Sequence, residues 1–138
     1  MNVQEVMTRK IVTVELDDKL SAVQEIFENL HFHHVLAVEE RVLIGIVSDR
    51  DLLKALSPYI GTPTESYRDL ASLNKRVHQI MSRRPIVLRE DATVEDAIGL
   101  FIAHKISCIP VVDGDNIPVG ILSWRDILRN LGKNQQEK

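Results

Sequence analysis

The sequence predicts an α+β fold made of two tandem β-α-β-β-α units, and three observations carry that prediction. First, Gly45-Ile-Val-Ser-Asp-Arg-Asp-Leu-Leu53 returns as Gly120-Ile-Leu-Ser-Trp-Arg-Asp-Ile-Leu128, identical at six of nine positions. Second, Val6-Met7-Thr8-Arg9 matches Ile80-Met81-Ser82-Arg83, and the run from His34 to Val38 matches the run from Cys108 to Val112. Ile11 and Val12 likewise match Ile86 and Val87, and the offset is 74 or 75 residues throughout. Third, the same succession of apolar periods runs through both copies, from short strand-like runs to helical spacing and back. A register held through separate blocks marks a duplication.

Each element follows from its pattern. Residues 11–14 and 86–88 are short β runs that open the two copies. Leu20, Val23, Ile26, Phe27 and Leu30 stand at helical spacing, mirrored by Val94, Ala97, Ile98 and Phe101. Thr93-x-x-Asp96 has the form of a capping box at the start of the second of these helices. Two apolar runs separated by turn residues come next, 35–38 with 42–47 and 109–112 with 119–122, and predict a hairpin in each copy. The turn is clearest in Asp113-Gly-Asp-Asn116. A closing helix carries Leu52, Leu53 and Leu56 in one copy and Ile127, Leu128 and Leu131 in the other.

The chain thus divides into a first repeat (1–56), a linker (57–77), a second repeat (78–131) and a polar, flexible tail (132–138). Pro58, Gly61 and Pro63 punctuate the linker, within which residues 67–73 suit a helical turn or two. A unit of about 50 residues is close to the lower limit for folding alone. The two repeats are therefore expected to share one core about a pseudo-twofold axis, and any site is expected in two related versions.

Composition narrows the function. With 138 residues, 44% of them hydrophobic, the chain can build a core for one compact module. Seventeen basic against 20 acidic residues make no field for tracking a nucleic-acid backbone. The aromatics Phe27, Phe32, Tyr59, Tyr67, Phe101 and Trp124 are too scattered to form a base-stacking platform. No apolar run approaches the roughly 20 residues that cross a bilayer, and the first residues lack the charge and apolar stretch of a signal peptide. Cys108 is the single cysteine, which excludes an internal disulfide or a multi-cysteine zinc site. A soluble, cytoplasmic protein without nucleic-acid or membrane partners is expected.

The duplicated Gly-aliphatic-aliphatic-Ser-x-Arg-Asp carries the chemistry. It reads as a strand running into a helix, with Ser48 and Ser123 at the N-cap and Asp51 and Asp126 at the third helical position. One reading is structural: each Ser-Asp pair closes a capping box worth roughly 1 kcal/mol. That reading requires neither the glycine nor the arginine. The other reading adds a ligand, because free amides at a helix start favour a phosphate. Arg50 and Arg125 can pair with phosphate oxygens through a planar fork. A carboxylate repels phosphate, so Asp51 and Asp126 suit the vicinal hydroxyls of a ribose instead. No Walker motif is present.

These blocks together resemble a tandem pair of cystathionine-β-synthase (CBS) domains, a Bateman module. The resemblance runs from Val6 to Leu56 and from Ile80 to Leu131. It implies that the cleft between the repeats binds an adenosine-containing ligand such as AMP, ADP, ATP or S-adenosylmethionine, as an effector and not as an obligatory cofactor. It places the ribose carboxylate on Asp51 and Asp126 and the hydroxyl on Ser48 and Ser123, and sets His33 where a basic group meets phosphate. Each site would join the Ser-x-Arg-Asp turn of one repeat to the first strand and hairpin start of the other. Asp126 would then face Ile11, Thr13, His33, His34 and Val35, and Asp51 would face Ile86, Leu88, Ser107, Cys108 and Ile109, with aliphatic and backbone groups holding the base. The sequence departs from the family pattern at Leu36, where Pro110 stands in the other repeat, before Ile11, where Pro85 precedes Ile86, and at Trp124, the counterpart of Asp49. The two sites should therefore differ in affinity. Trp124 is read as packing in preference to shielding a ligand.

The remaining candidates are weaker. His31 and His33 would share one face of an extended segment, but no third metal ligand accompanies them, so no metal is expected. Cys108 opens an apolar strand and reads as a buried, inert thiol. No nucleophile with a base is apparent. The expectation is a non-catalytic regulatory module that reports ligand state to an effector protein. Homodimerisation through helix faces around Leu30, Leu56 and Leu131 is part of that expectation. The alternatives are a structural dimerisation module with degenerate sites and, more remotely, a small nucleotide-transforming enzyme.

Overall fold

The computed structural model describes residues 1–136, the side chains of 134–136 excepted. It has the predicted α+β character, with helices packed on two sheets. The chain forms two compact units, one of Val12–Arg84 and one of Met1–Ile11 together with Pro85 onward.

The first-repeat unit contains β1 (Thr13–Glu15), α1 (Leu20–Leu30), β2 (His34–Glu39), β3 (Val42–Ser48) and α2 (Asp49–Ala55). It continues through α3 (Tyr67–Ala71), a 3₁₀ turn (Ser72–Asn74), α4 (Val77–Ile80) and β4 (Ser82–Arg83). The sheet order is β1-β2-β3-β4, parallel between β1 and β2 and antiparallel beyond. Its core gathers Val14, Leu20, Val23, Val35, Ala37, Val47, Leu52, Val77 and Met81. The 57–77 segment is built into this unit. The Ser57 amide donates to Ser72 Oγ at 3.1 Å, and the Ser57 hydroxyl donates to Asp69 at 2.5 Å. That hydroxyl bond, ahead of the Ser66 amide, holds the Asp69 carboxyl below its ordinary range.

The second-repeat unit starts with a 3₁₀ turn (Val3–Glu5) and continues with β5 (Leu88–Arg89), α5 (Val94–Ala103), β6 (Cys108–Val112), β7 (Pro118–Ser123) and α6 (Trp124–Gln136). Its sheet order is β5-β6-β7. Val3, Met7, Leu88, Ala97, Ile109, Val111, Leu122 and Ile127 form its core. The Thr93–Asp96 capping box is present in both directions, at 3.1 Å each way.

The packing units are thus not the sequence repeats. The opening segment of the first repeat packs in the second-repeat unit, where Thr8 and Ile121 exchange both backbone hydrogen bonds at 2.9 Å. The opening of the second repeat supplies β4 to the first-repeat unit, with Gly45 opposite Arg83 and Ile46 opposite Ser82. This exchange explains the duplicated glycine. A Cβ on Gly45 would lie 2.6 Å from Met81 Sδ, and one on Gly120 would lie 2.6 Å from Met7 Sδ. The Met of each opening block therefore sits where the motif glycine leaves room.

Several boundaries differ from those the sequence suggests. The opening strands are Thr13–Glu15 and Leu88–Arg89, not 11–14 and 86–88. A strand extends only as far as it has a partner, and β1 pairs with β2 from Thr13 opposite Leu36. Residues 132–136, expected in a flexible tail, continue α6. No proline stops the helix, Gly132 costs only about 1 kcal/mol, and lysine and glutamine propagate it. The remainder of that expected tail, 137–138, lies outside the described residues. Leu56 packs against the core of its unit, whereas Leu53 is 74% exposed. Among the described residues, no helix is long and apolar enough to cross a membrane.

Candidate functional site

In both units the sheet delivers a strand end into a helix start at the Ser-x-Arg-Asp turn. Ser48 ends β3 in extended geometry, which turns its amide and hydroxyl toward the first turn of α2. The Asp51 amide donates to Ser48 Oγ at 3.1 Å, and the Ser48 amide donates to Asp51 Oδ2 at 2.9 Å. The second copy repeats this. The Asp126 amide donates to Ser123 Oγ at 3.2 Å, and the Ser123 amide to Asp126 Oδ2 at 2.8 Å. The structural half of the expectation is therefore met in both copies.

The box uses one oxygen of each carboxylate. Among the described residues, Asp51 Oδ1 accepts no hydrogen bond. Asp126 Oδ1 is 3.4 Å from the donating hydroxyl of Thr8 and 4.0 Å from Arg129 Nη1, on a side chain only 11% exposed. Arg50 is exposed and has no hydrogen bond or ion pair among the described residues. Arg125 lies over the Trp124 ring, 5.6 Å from its centroid. Trp124 is 45% exposed and stands outside the core of its unit, so the expectation that it packs is not met there.

Hairpin pairing brings the other candidates beside these turns. His34 lies opposite Ser48, and Cys108 opposite Ser123. Burial holds the His34 ring below its ordinary value of 6.5, against the pull of Asp49 and Asp51 and with a smaller push from His33. Burial, with a lesser contribution from Asp126, pushes the Cys108 thiol up to about 12. His33 Nδ1 is 2.9 Å from Asp49 Oδ2, and the Asp49 amide donates to the His33 carbonyl at 3.0 Å. The His33 side chain is 73% exposed and that of Asp49 44% exposed.

The residues expected to hold the base divide into two sets. Val35, Leu88 and Ile109 are buried in the cores of their units, so their side chains serve packing and only their main chain is left for a ligand. Ile11 and Ile86 are half-buried, while Thr13 and Ser107 are exposed. Sequence reasoning missed the His33–Asp49 pair and the reach of Thr8 to Asp126. The signal for the first was the hairpin register. The second had no local signal, because 118 positions separate the two residues. Among the described residues, no cluster of three or more His, Cys, Asp or Glu could hold a metal ion.

Comparison with known proteins agrees with this architecture. The protein-family model described as CBS domain matches residues 3–58 and 77–133. Inosine-5'-monophosphate dehydrogenase of Methanocaldococcus jannaschii is 26% identical over 126 residues, 91% of this chain and 22% of that protein. The uncharacterized protein MJ0188 of the same organism is 30% identical over 132 residues, 94% of this chain and 44% of that protein. The chain thus spans less than half the length of either relative. Among solved structures, the CBS domain pair of protein MJ0100, in complex with 5'-methylthioadenosine and S-adenosyl-L-methionine, superposes with a TM-score of 0.78. Its sequence is 25% identical, with 97% of this chain and 98% of that one covered. CBSX2 in complex with AMP gives a TM-score of 0.79 at 25% identity, covering 97% of this chain and 98% of that one. With the family matched over both repeats and the fold shared along nearly its whole length, the chain belongs to the CBS-domain family and carries that domain twice.

Proposed function

We propose that this chain is a cytoplasmic, non-catalytic regulatory module that binds an adenosine-containing ligand at its Ser-x-Arg-Asp turns and passes ligand state to a partner protein. The carrying observation is the division of labour at Asp51 and Asp126. One oxygen of each closes the capping box; the second is open at Asp51, whereas at Asp126 it already meets the Thr8 hydroxyl at 3.4 Å and Arg129 at 4.0 Å, long contacts that a ribose hydroxyl would replace. The bound 5'-methylthioadenosine, S-adenosyl-L-methionine and AMP in the two related structures support the ligand class. Arg50 and Arg125 are the cations on offer to phosphate, with the exposed His33 beside the first. A thiol at about 12 is protonated at neutral pH, which argues against nucleophilic work by Cys108. Ligand-driven output can be no larger than the ligand's preference between two states, typically about 1–3 kcal/mol.

Calorimetric titration of the purified chain with AMP, ADP, ATP and S-adenosylmethionine tests the proposal. Asp51→Ala and Asp126→Ala should each remove one binding event while the chain stays folded. If neither variant changes any affinity, the ribose role is wrong.

One observation favours a second reading. Both capping boxes are complete on their own, as a purely structural module with degenerate sites would require. Exposed Leu30 and Leu53 in one unit, and Ile102, Leu128 and Leu131 in the other, suit a homodimer in either reading. A chain that sediments as a dimer and binds none of the four compounds would favour the structural role.

A further inference from the structure

We infer that Thr8 is a built-in competitor for ligand at the Ser123 turn. Its hydroxyl occupies the second oxygen of Asp126, so ligand there and the docking of the opening segment on β7 oppose each other. The inference rests on the adenosyl-binding reading and adds a regulatory contact to one of its two turns.

The competitor is delivered by main chain. Thr8 and Ile121 exchange both backbone hydrogen bonds at 2.9 Å, and Ile121 stands two residues before Ser123 on β7. Just ahead of Thr8, Val3 and Met7 are buried in the core of the second-repeat unit, with Met7 against Gly120. From that frame the Thr8 hydroxyl donates to Asp126 Oδ1 at 3.4 Å. This is the oxygen that the capping box leaves over, since the Ser123 amide takes Oδ2. With the Asp126 side chain only 11% exposed, Oδ1 has little room for Thr8 and a ligand hydroxyl together.

The other copy lacks the contact, although its backbone pairs alike. Ser82 stands in the place of Thr8 and lies opposite Ile46, two residues before Ser48. Asp51 nevertheless accepts only within its capping box. The β-branch of threonine restricts its χ1, whereas a serine hydroxyl turns more freely to water. Competition therefore belongs to the second turn. By linkage, whatever Thr8 takes from ligand affinity, ligand takes from the docking of the opening segment. A hydrogen bond this long and exposed falls at the low end of the net worth of such bonds, about threefold in an equilibrium.

The test is calorimetric titration of the full chain with adenosine, or with AMP should adenosine bind too weakly to titrate. Asp51→Ala isolates the second turn, with Asp51→Asn as a cap-preserving substitute should the alanine variant unfold. In that background Thr8→Val keeps the branched shape and the backbone bonds, and removes the hydroxyl. It should tighten binding about threefold. In an Asp126→Ala background, Thr8→Val should leave the affinity of the first turn as it was. Amide hydrogen exchange gives the reciprocal readout. Saturating ligand should speed exchange at residues 8 and 121 about threefold in the Asp51→Ala chain, and should not do so once residue 8 is valine. Affinity that Thr8→Val does not raise, an equal gain at the first turn, or exchange that ligand does not speed overturns the competition and leaves adenosyl binding standing. So does an Asp51→Ala chain that binds nothing while wild type binds. Failure of the wild-type chain to bind either compound overturns the adenosyl reading, and this inference with it.

Discussion

Gly45→Ala should destabilise the chain by about 1–2 kcal/mol, and the structure shows where that figure comes from. The new methyl would lie 2.6 Å from Met81 Sδ and 2.9 Å from the Ser82 carbonyl oxygen. Ordinary contacts stand about an ångström farther out. The thioether can swing aside cheaply because methionine is flexible. The carbonyl cannot, because Ser82 is held in β4 opposite Ile46. Overpacking of this kind costs about 1–3 kcal/mol. Gly45 has no left-handed φ to lose, so alanine also returns about 0.4–1 kcal/mol by restricting the unfolded chain. The steric cost wins. Urea unfolding followed by far-ultraviolet circular dichroism should show a lower midpoint with an unchanged slope. Gly120→Ala, with its methyl 2.6 Å from Met7 Sδ and 3.0 Å from the Thr8 carbonyl oxygen, should fall at the lower end of the same range. Adding Met81→Ala to Gly45→Ala should not rescue the first variant, because the carbonyl clash remains. A Gly45→Ala chain as stable as wild type would refute the argument that the opening blocks are exchanged onto the motif glycines.

Two further outcomes follow from burial beside the turns. Cys108, with its thiol pushed up to about 12, should react far more slowly with iodoacetamide at pH 8 in the native chain than in urea; equal rates would contradict its burial. His34 is held below 6.5 in the folded chain, so the unfolded chain takes up its proton first as pH falls. Its contribution to stability should be intact above pH 6.5 and be lost as pH drops through the folded-state value. The urea midpoint of wild type should therefore fall more steeply below pH 6.5 than that of His34→Gln, and parallel curves would refute this.

What could be read from the chain was whatever is local or repeated. The duplication needed only comparison of the sequence with itself. The capping boxes at Ser48, Thr93 and Ser123 join residues three apart, so spacing alone specified them. The helix carrying Leu20, Val23 and Leu30 announced itself by period. Boundaries were harder, since they depend on partners. Residues 132–136 read as a polar tail because helix extension there has no apolar signature.

The His33–Asp49 pair marks where local reasoning stops. Counting back from the Glu40–Arg41 turn, where both residues take left-handed φ, an unbroken ladder would set Asp49 opposite Phe32. A bulge between Ala37 and Val38 shifts the register by one and brings His33 there. Gly45, beside the extra residue Ile44, is the one residue in the hairpin whose type hints at the shift.

By itself, the sequence determined the two copies of one α+β unit and the pairing of a serine with a carboxylate in each, because those features depend on neighbours in the chain or on repetition. Only the tertiary structure decided that each opening block packs in the unit of the other repeat, that Met7 and Met81 lie against Gly120 and Gly45, and that Thr8 reaches Asp126. Those contacts join residues more than 35 positions apart, and nothing in the local preferences of either partner specifies them.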